Sequence, residues 1–253
     1  MKIAASDYDG TLFRRGSVSR EDLKAIEAWR EKGHLFGLAT GRDLNLIRNE
    51  VVDRGIPFDF IICNTGATIY DSDFRPIHLS SLPPGAAGQV LDHPLIQSSR
   101  YCLFSRAGHT YIIMRSTESW LTGLGLPLAG ITEEEARALT GLNQIGLEYD
   151  SSEAARLNSA ILTRDFGQTM YAQQSSFCVD LVAAGVSKAQ GLALYIELHH
   201  LEPQDVLTVG DSENDLSMLT RYHSYAMANS PPDIISAAST VTDSPGSMLW
   251  DNM

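Results

Sequence analysis

Two acids stand two positions apart near the start of the chain, in Asp7-Tyr8-Asp9-Gly10-Thr11-Leu12, directly behind the apolar run Ile3-Ala4-Ala5. Carboxylates this close repel each other and need a cation or a shared proton. An Asp-Gly pair also closes an ordinary turn, and Gly10 permits the tight turn in either case. A second stretch, Leu38-Ala39-Thr40-Gly41-Arg42, presents a hydroxyl and a glycine amide at a helix start. That arrangement suits an anion, and it also serves as a plain helix cap. The third feature is Lys188. The chain has four lysines and 15 arginines, and Lys188 is the only lysine beyond Lys32. A compact ammonium suits a single phosphate oxygen or carboxylate in a narrow space. A merely superficial lysine at a helix start would oppose the helix dipole. The fourth is Gly210-Asp211-Ser212-Glu213-Asn214-Asp215. Ser212 and Asp215 fit a capping box, yet four acidic or amide side chains exceed what a cap needs. Hard oxygen ligands of this kind suit Mg²⁺.

These stretches can meet only if the fold delivers them to one edge. Short apolar runs alternate with helical patterns over the first 65 residues: a strand at Ile3 to Ala5, a helix begun by Ser19 and stopped by Gly33, a strand at His34 to Ala39, a helix from Asp43 to Arg54 and a strand at Phe58 to Cys63. Such alternation implies parallel strands with right-handed crossovers, and ligands bind beyond the carboxyl ends of such strands. The rhythm then changes. A hairpin at Ala67 to Leu79 leads to Pro83-Pro84-Gly85, which marks a boundary. Residues 83–175 read as a separate α+β module, with strands at Tyr101 to Phe104 and Thr110 to Met114, an acidic helix start at Thr132 and an amphipathic helix from Ser152 to Phe166. Alternation is read to resume at Phe177-Cys178-Val179-Asp180-Leu181-Val182, followed by a helix from Lys188 to His200, a strand at Val206 to Val209 and a helix from Glu213 to Thr220. The expected class is α/β: a Rossmann-like parallel-sheet core domain of residues 1–82 and 176–253, split by an inserted α+β domain of residues 83–175. The four chemical stretches then lie at strand ends. Acids there can hold Mg²⁺, the metal can neutralise a phosphate dianion, and one carboxylate can act as nucleophile.

The order D-x-D-G-T-L, A-T-G-R, V-S-K and G-D-S-E-N-D-L-S-M-L resembles the haloacid dehalogenase (HAD-like) superfamily, and within it the Cof-type sugar-phosphate phosphatases with a class II cap. In those the cap is inserted between the second and third motifs, and here Thr40 and Lys188 lie 148 positions apart. The resemblance implies an aspartyl-phosphate mechanism. Asp7 attacks phosphorus, Asp9 protonates the leaving oxygen and then activates water, and Thr11 orients Asp9. Mg²⁺ is held by the Asp7 carboxylate, the Asp9 main-chain carbonyl and Asp211, with Asp215 and Asn214 in support. Thr40, the Gly41 amide and Lys188 hold the phosphoryl oxygens, with Asn214 at the same phosphate and Arg42 in support. Exchanges of Lys188 are expected to alter turnover with little effect on stability. The family's N-G-A appears as Asn64-Thr65-Gly66-Ala67, with its Asn one place early. Tyr225 to Ser230 resembles A-M-x-N-A with a final Ser, and the tail beyond Thr242 is short.

Composition narrows the partners. Acids outnumber bases 31 to 19, a net charge of −12, which argues against nucleic acid but not against a small phosphorylated metabolite met by a local positive site. No apolar run approaches a membrane span, and the N-terminus reaches Asp7 too soon for a signal peptide. Cys63, Cys102 and Cys178 are odd in number and widely spaced, which points to reduced thiols and a cytoplasmic protein. A monomer or weak homodimer is expected. Gly123-Leu124-Gly125 with Gly130 fails the dinucleotide pattern, and Trp29, Trp120 and Trp250 read as packing residues. The leading function is a Mg²⁺-dependent phosphomonoester hydrolase. The alternatives are a phosphosugar mutase of the same superfamily and a non-catalytic phosphometabolite sensor; loss of Asp9 or Lys188 would have favoured the sensor, and both are present.

Overall fold

The computed structural model describes residues 1–124, 126 and 128–253; Gly125 lies outside the described residues. The chain opens with β1 (Ile3–Ser6), α1 (Arg20–Glu31), β2 (Leu35–Ala39), α2 (Leu44–Asp53) and β3 (Phe60–Cys63). Ser19 caps α1 by accepting from the Asp22 amide, and Asp43 caps α2 by accepting from the Leu46 amide. Both side chains satisfy amide donors that a helix start leaves open. The hairpin β4 (Thr68–Asp71) and β5 (Pro76–Leu79) follows. The inserted module contains α3 (Ala86–Leu91), β6 (Tyr101–Arg106), β7 (His109–Met114), β8 (Ala129–Gly130), α4 (Glu133–Arg137), β9 (Gln144–Glu148), α5 (Ser152–Phe166), β10 (Met170–Ser175) and β11 (Cys178–Ala183). The chain ends with α6 (Lys188–Leu198), β12 (Val206–Gly210), α7 (Leu216–Leu219), β13 (His223–Met227), α8 (Pro232–Ala237), β14 (Thr240–Thr242) and α9 (Pro245–Asn252).

Among the described residues these strands form two sheets. The larger has the order β14-β13-β12-β1-β2-β3-β4-β5. Its strands are parallel from β14 to β3 and antiparallel from β3 to β5. One face buries Ile26 and Trp29 of α1 with Phe36 and Leu38 of β2, and the other buries Leu192 and Ile196 of α6 with Ile3 and Ile62. Trp29 is thus a packing residue, whereas Trp250 is 52% exposed. The short tail closes through α9, whose Gly246 amide donates to Asp22 Oδ1 (2.8 Å). All three cysteines are free, and no described helix is long and apolar enough to cross a membrane.

The second sheet has the order β10-β11-β9-β6-β7-β8. It corrects the expected boundary. The segment Cys178 to Val182 does not return to the parallel sheet; it pairs antiparallel with β10 and β9. The inserted module therefore runs through Ala183, and the chain crosses back over residues 184–187 rather than at 175. Its nearly continuous apolar run imitates a strand covered on both faces. The alternation is nonetheless present: Val179 and Leu181 enter the module's core, while Cys178 and Asp180 line the cleft facing the larger sheet.

The module is seated by buried polar groups. Asn64 Nδ2 donates to Ser105 Oγ (3.0 Å) and Gln144 Oε1 (2.6 Å), and Asn64 Oδ1 accepts from Thr68 Oγ1 (2.8 Å). Gln144 Nε2 donates to the Gly41 carbonyl (3.0 Å), and Thr110 Oγ1 donates to Asp43 Oδ2 (2.6 Å). The turn that carries Asn64 has positive φ at three residues in succession: 52° at Asn64, 55° at Thr65 and 109° at Gly66. At Gly66 a Cβ would lie 2.0 Å from the Ser187 carbonyl oxygen, so a side chain is excluded where this turn meets the returning chain. Asn64→Ala should leave its buried partners unsatisfied, at a cost of about 1–3 kcal/mol. Urea unfolding should show a lower midpoint with an unchanged slope; an unchanged midpoint would mean that Asn64 does not seat the module.

Candidate active site

β1 ends at Ser6, and Asp7 is held in register by its amide, which donates to the Val209 carbonyl (2.9 Å). From the far side of the insertion comes Lys188, the first residue of α6 behind the Ser187 cap. It is 0% exposed. Its Nζ donates to Asp7 Oδ1 (2.6 Å), Asp215 Oδ1 (2.6 Å) and Asn214 Oδ1 (3.4 Å). The superficial alternative for Lys188 is thereby excluded, and its burial between acids argues against the expectation that its exchange spares stability. The turn after β12 serves two purposes. Asp215 Oδ2 accepts from the Asp211 and Ser212 amides (2.9 and 3.1 Å), completing the capping box, while Oδ1 faces the ammonium.

Gly10 brings the first motif against the last. Its φ is 84°, and a Cβ there would lie 2.4 Å from Asp211 Oδ2. Thr11 Oγ1 donates to Asp211 Oδ1 (2.8 Å). This corrects the role expected of Thr11: it orients Asp211, because the Asp9 side chain turns outward. Asp9 is instead clamped by Arg42, with Nε to Oδ2 at 2.8 Å and Nη2 to Oδ1 at 2.5 Å. Arg42 Nη1 also donates to Glu50 Oε1 (2.7 Å), and its guanidinium carbon lies 5.4 Å from the Tyr8 ring centre and 5.5 Å from that of Trp120. Arg42 is thus committed to acids rather than free beside the Thr40-Gly41 turn. Trp120, expected as a packing residue, lines the cleft.

Asp7, Asp211 and Asp215 each offer a carboxylate oxygen, all within 4.8 Å of one another. Burial, then the Asp215 charge, pushes the Asp7 carboxyl well above its ordinary range, against the pull of Lys188. Burial and Asp215 likewise raise Asp211. Burial opposes the charge on Lys188, yet Asp215 and Asp7 overcome it and hold the ammonium above its ordinary value. One ammonium cannot balance three carboxylates, so the cluster carries excess negative charge in a dry place. Its donors are all hard oxygens, the set that Mg²⁺ prefers. The residues present therefore fit that ion.

The cluster opens into a cleft of about 230 Å³ between the two sheets. Asp7, Asp9, Thr40, Gly41, Ser212 and Asn214 line it on one side, and Tyr101, Leu103, Trp120, Phe177, Cys178 and Asp180 of the module on the other. A Cβ built on Gly41 would lie 3.1 Å from Asp180 Oδ2, 3.6 Å from Thr65 Oγ1 and 3.7 Å from Asn214 Nδ2. Three polar groups thus converge on the glycine that follows Thr40. Thr65 Oγ1 is buried without a hydrogen-bond partner. Burial pushes the Asp180 carboxyl up to about 7, with the Gln144 amide and Lys188 acting against the rise and Asp43 with it. Neither Thr65 nor Asp180 was anticipated as a site residue. An acid inside an apolar strand was the available signal for Asp180; Thr65 offered none.

A family model described as haloacid dehalogenase-like hydrolase matches residues 4–247. Among curated proteins, the 5-amino-6-(5-phospho-D-ribitylamino)uracil phosphatase of Bacillus subtilis is 26% identical over 96% of this chain and 93% of its own length. An HMP-PP phosphatase of Yersinia pseudotuberculosis is 26% identical over 92% of this chain and 86% of its own. Among solved structures, a haloacid dehalogenase-like hydrolase from B. subtilis superposes with a TM-score of 0.84 at 22% identity, covering 100% of this chain and 98% of that one.

The charge balance gives a test independent of turnover. Lys188→Met should cost about 3–5 kcal/mol at neutral pH, because it strands buried carboxylates. The Lys188 pKa is raised on folding, so its contribution is complete below its ordinary value near 10.5 and is lost only as pH rises through the raised one. The raised Asp7 and Asp211 favour their protonated forms in the fold, so the variant's deficit should shrink as pH falls toward their ordinary 3.8. Urea unfolding of parent and variant at neutral and mildly acidic pH measures both effects. Equal stability at neutral pH would remove Lys188 as the counter-charge.

Proposed function

Since the chain belongs to the haloacid dehalogenase-like hydrolases, we propose that it is a Mg²⁺-dependent phosphomonoesterase that cleaves a small phosphorylated metabolite through a phosphorylated Asp7. The observation that carries this reading is the fully buried Lys188 shared at 2.6 Å by Asp7 and Asp215, with Asp211 alongside. A buried ammonium fixes one oxygen of Asp7 and leaves the other to attack. The free carboxylate oxygen forms a bond to phosphorus while the ester oxygen departs. Asp9 gives that oxygen its proton. Asp9 then takes a proton from the water that attacks phosphorus, which releases inorganic phosphate and restores Asp7. To do so its carboxyl exchanges the Arg42 clamp for the reacting oxygens, while Glu50 keeps Arg42 in place. Thr40, the Gly41 amide, Asn214 and Lys188 receive the phosphoryl oxygens.

Asp7, Asp211 and the Asp9 main-chain carbonyl would hold Mg²⁺, with Asp215 in support. When bound, the ion supplies the positive charge that lets a phosphate dianion approach three carboxylates. Three unpaired thiols support a reducing, cytoplasmic compartment.

Asp7→Asn keeps the side-chain shape and removes the attacking charge. Turnover of p-nitrophenyl phosphate should fall by about a thousandfold or more, and acid quench of the parent with labelled substrate should trap phosphate on Asp7. Label on another residue refutes the assignment. Metal binding has a thermal signature as well. Mg²⁺ added to chelator-treated protein should raise its melting temperature, since binding to the folded state alone stabilises it. Asp211→Asn should lose most of that rise, and parent activity should vanish in chelator. Full activity in excess chelator would overturn the metal requirement.

A further inference from the structure

In a phosphomonoesterase, the half of the cleft away from the carboxylates receives the alcohol portion of the ester, and here that half has a character of its own. Its walls are Trp120, Tyr101, Leu103, Phe177 and Leu46 of α2. The ring hydroxyl and the indole N–H of these aromatic walls are already paired, while Ser175 and Ser176 also line the cleft. The Tyr101 hydroxyl accepts from Trp120 Nε1 (3.3 Å) and lies 3.6 Å from Cys178 Sγ. Gln144 donates to the Gly41 carbonyl and accepts from Asn64. Against the aromatic walls themselves a sugar ring, which needs a partner for each hydroxyl, finds none free.

Positive charge is also spoken for. Lys188 is shared by Asp7 and Asp215, and Arg42 by Asp9 and Glu50. Arg42 is the only cation among the described residues that line the cleft. A carboxylate or second phosphate on the alcohol would therefore be buried without a counter-charge, which is costly. The unmatched group has the opposite sign. Asp180 projects from β11 on the side away from Val179 and Leu181. Its two oxygens lie against Gly41 and Gly146, 3.1 and 3.4 Å from where a Cβ would stand, the first a tight approach and the second ordinary contact. Burial holds its pKa up to about 7, against the Gln144 amide and the Lys188 charge.

We propose that the substrate is a phosphate ester of an alcohol that carries a cationic amine on a flat apolar ring, with the ring against Trp120, Tyr101 and Phe177 and the amine on Asp180. This substrate class rests on the phosphomonoesterase reading of the same site. Aromatic walls favour a flat ring over an aliphatic one, and a charge-assisted hydrogen bond from the amine satisfies the acid. Asp180 is a specificity residue in this scheme and takes no part in the bond changes at phosphorus.

Two esters that differ in one group test it: para-aminomethylbenzyl phosphate and para-methylbenzyl phosphate, offered to the full chain with Mg²⁺. The amine ester should have kcat/KM at least about tenfold higher, the scale of a matched polar group. A hexose phosphate should be poorer than either, and phosphoglycerate, with its extra carboxylate, the poorest. In Asp180→Asn the ratio of the two benzyl esters should collapse to within about threefold, and Asp180→Glu should restore part of it. A ratio compares two substrates on one protein, so partial loss of folded material cancels. The parent ratio alone decides the matter if the variants fail to fold. A parent ratio near one, a ratio unchanged in Asp180→Asn, or a best substrate that is the hexose phosphate or phosphoglycerate overturns the proposal. Hydrolysis of p-nitrophenyl phosphate by the parent separates the two levels: with it, a flat ratio defeats the substrate class alone, and without it the phosphomonoesterase reading falls too.

Discussion

An ammonium group with no exposed surface, held between Asp7 and Asp215, constrains most of the architecture around it. A buried charge survives only with partners in place. Asp7 must therefore leave β1, Asp215 must leave the turn after β12, and the chain must bring Lys188 back to both after more than a hundred residues spent elsewhere. The return is tightly fitted. Gly66 gives way to the Ser187 carbonyl, and a Cβ on Gly191 would lie 2.9 Å from Ile62 Cγ2 and 3.0 Å from the Gly66 carbonyl. Helix α6 is thus pressed onto the turn at residues 64–66. The same turn carries Asn64 to Ser105 and Gln144 of the module. One short backbone segment thereby places both the lysine and the insertion that roofs it.

What could be read from the sequence was what local chemistry encodes. Ser19 and Asp43 announce their helices, the alternating apolar runs announce the larger sheet, and a lone lysine in an arginine-rich chain stands out. Three of the chemical stretches, after β1, β2 and β12, converge because a parallel sheet puts its carboxyl ends together, whereas Lys188 comes in on the chain returning from the module. What stayed hidden was decided by pairing across distance. Cys178 to Val182 has the composition of a buried parallel strand, and nothing local says that its partners are Gln173 and Gly146 rather than the core. The partner of Thr11 is equally non-local. Asp9 is two positions from Thr11 and Asp211 is 200 away, and the turn at Gly10 brings the distant acid to the hydroxyl.

Arg42 shows how the insertion and the chemistry are joined. Its guanidinium holds Asp9 and Glu50 and lies near the rings of Tyr8, from the β1 side, and Trp120, from the module. Asp9 is 49% exposed at its side chain, so the clamp, rather than burial, sets where it points. The direction of the Asp9 carboxylate thus depends on Arg42, which touches both the larger sheet's side and the module.

Charge then explains how so acidic a chain can serve an anionic substrate. The net −12 is a property of the whole surface, whereas binding depends on local balance. At the phosphate end, one lysine stands against three carboxylates, and the remaining deficit is the size that a divalent cation removes. At the other end, Arg42 is consumed by Asp9 and Glu50, and Asp180 is left in excess. Each end of the cleft is short of positive charge, by different amounts and with different room. A small hard ion suits the oxygen-lined end, and an organic cation suits the apolar end, where aromatic side chains line the cleft. On the proposed reading the cleft suits a zwitterion: a phosphate at the strand ends and an amine beneath the module.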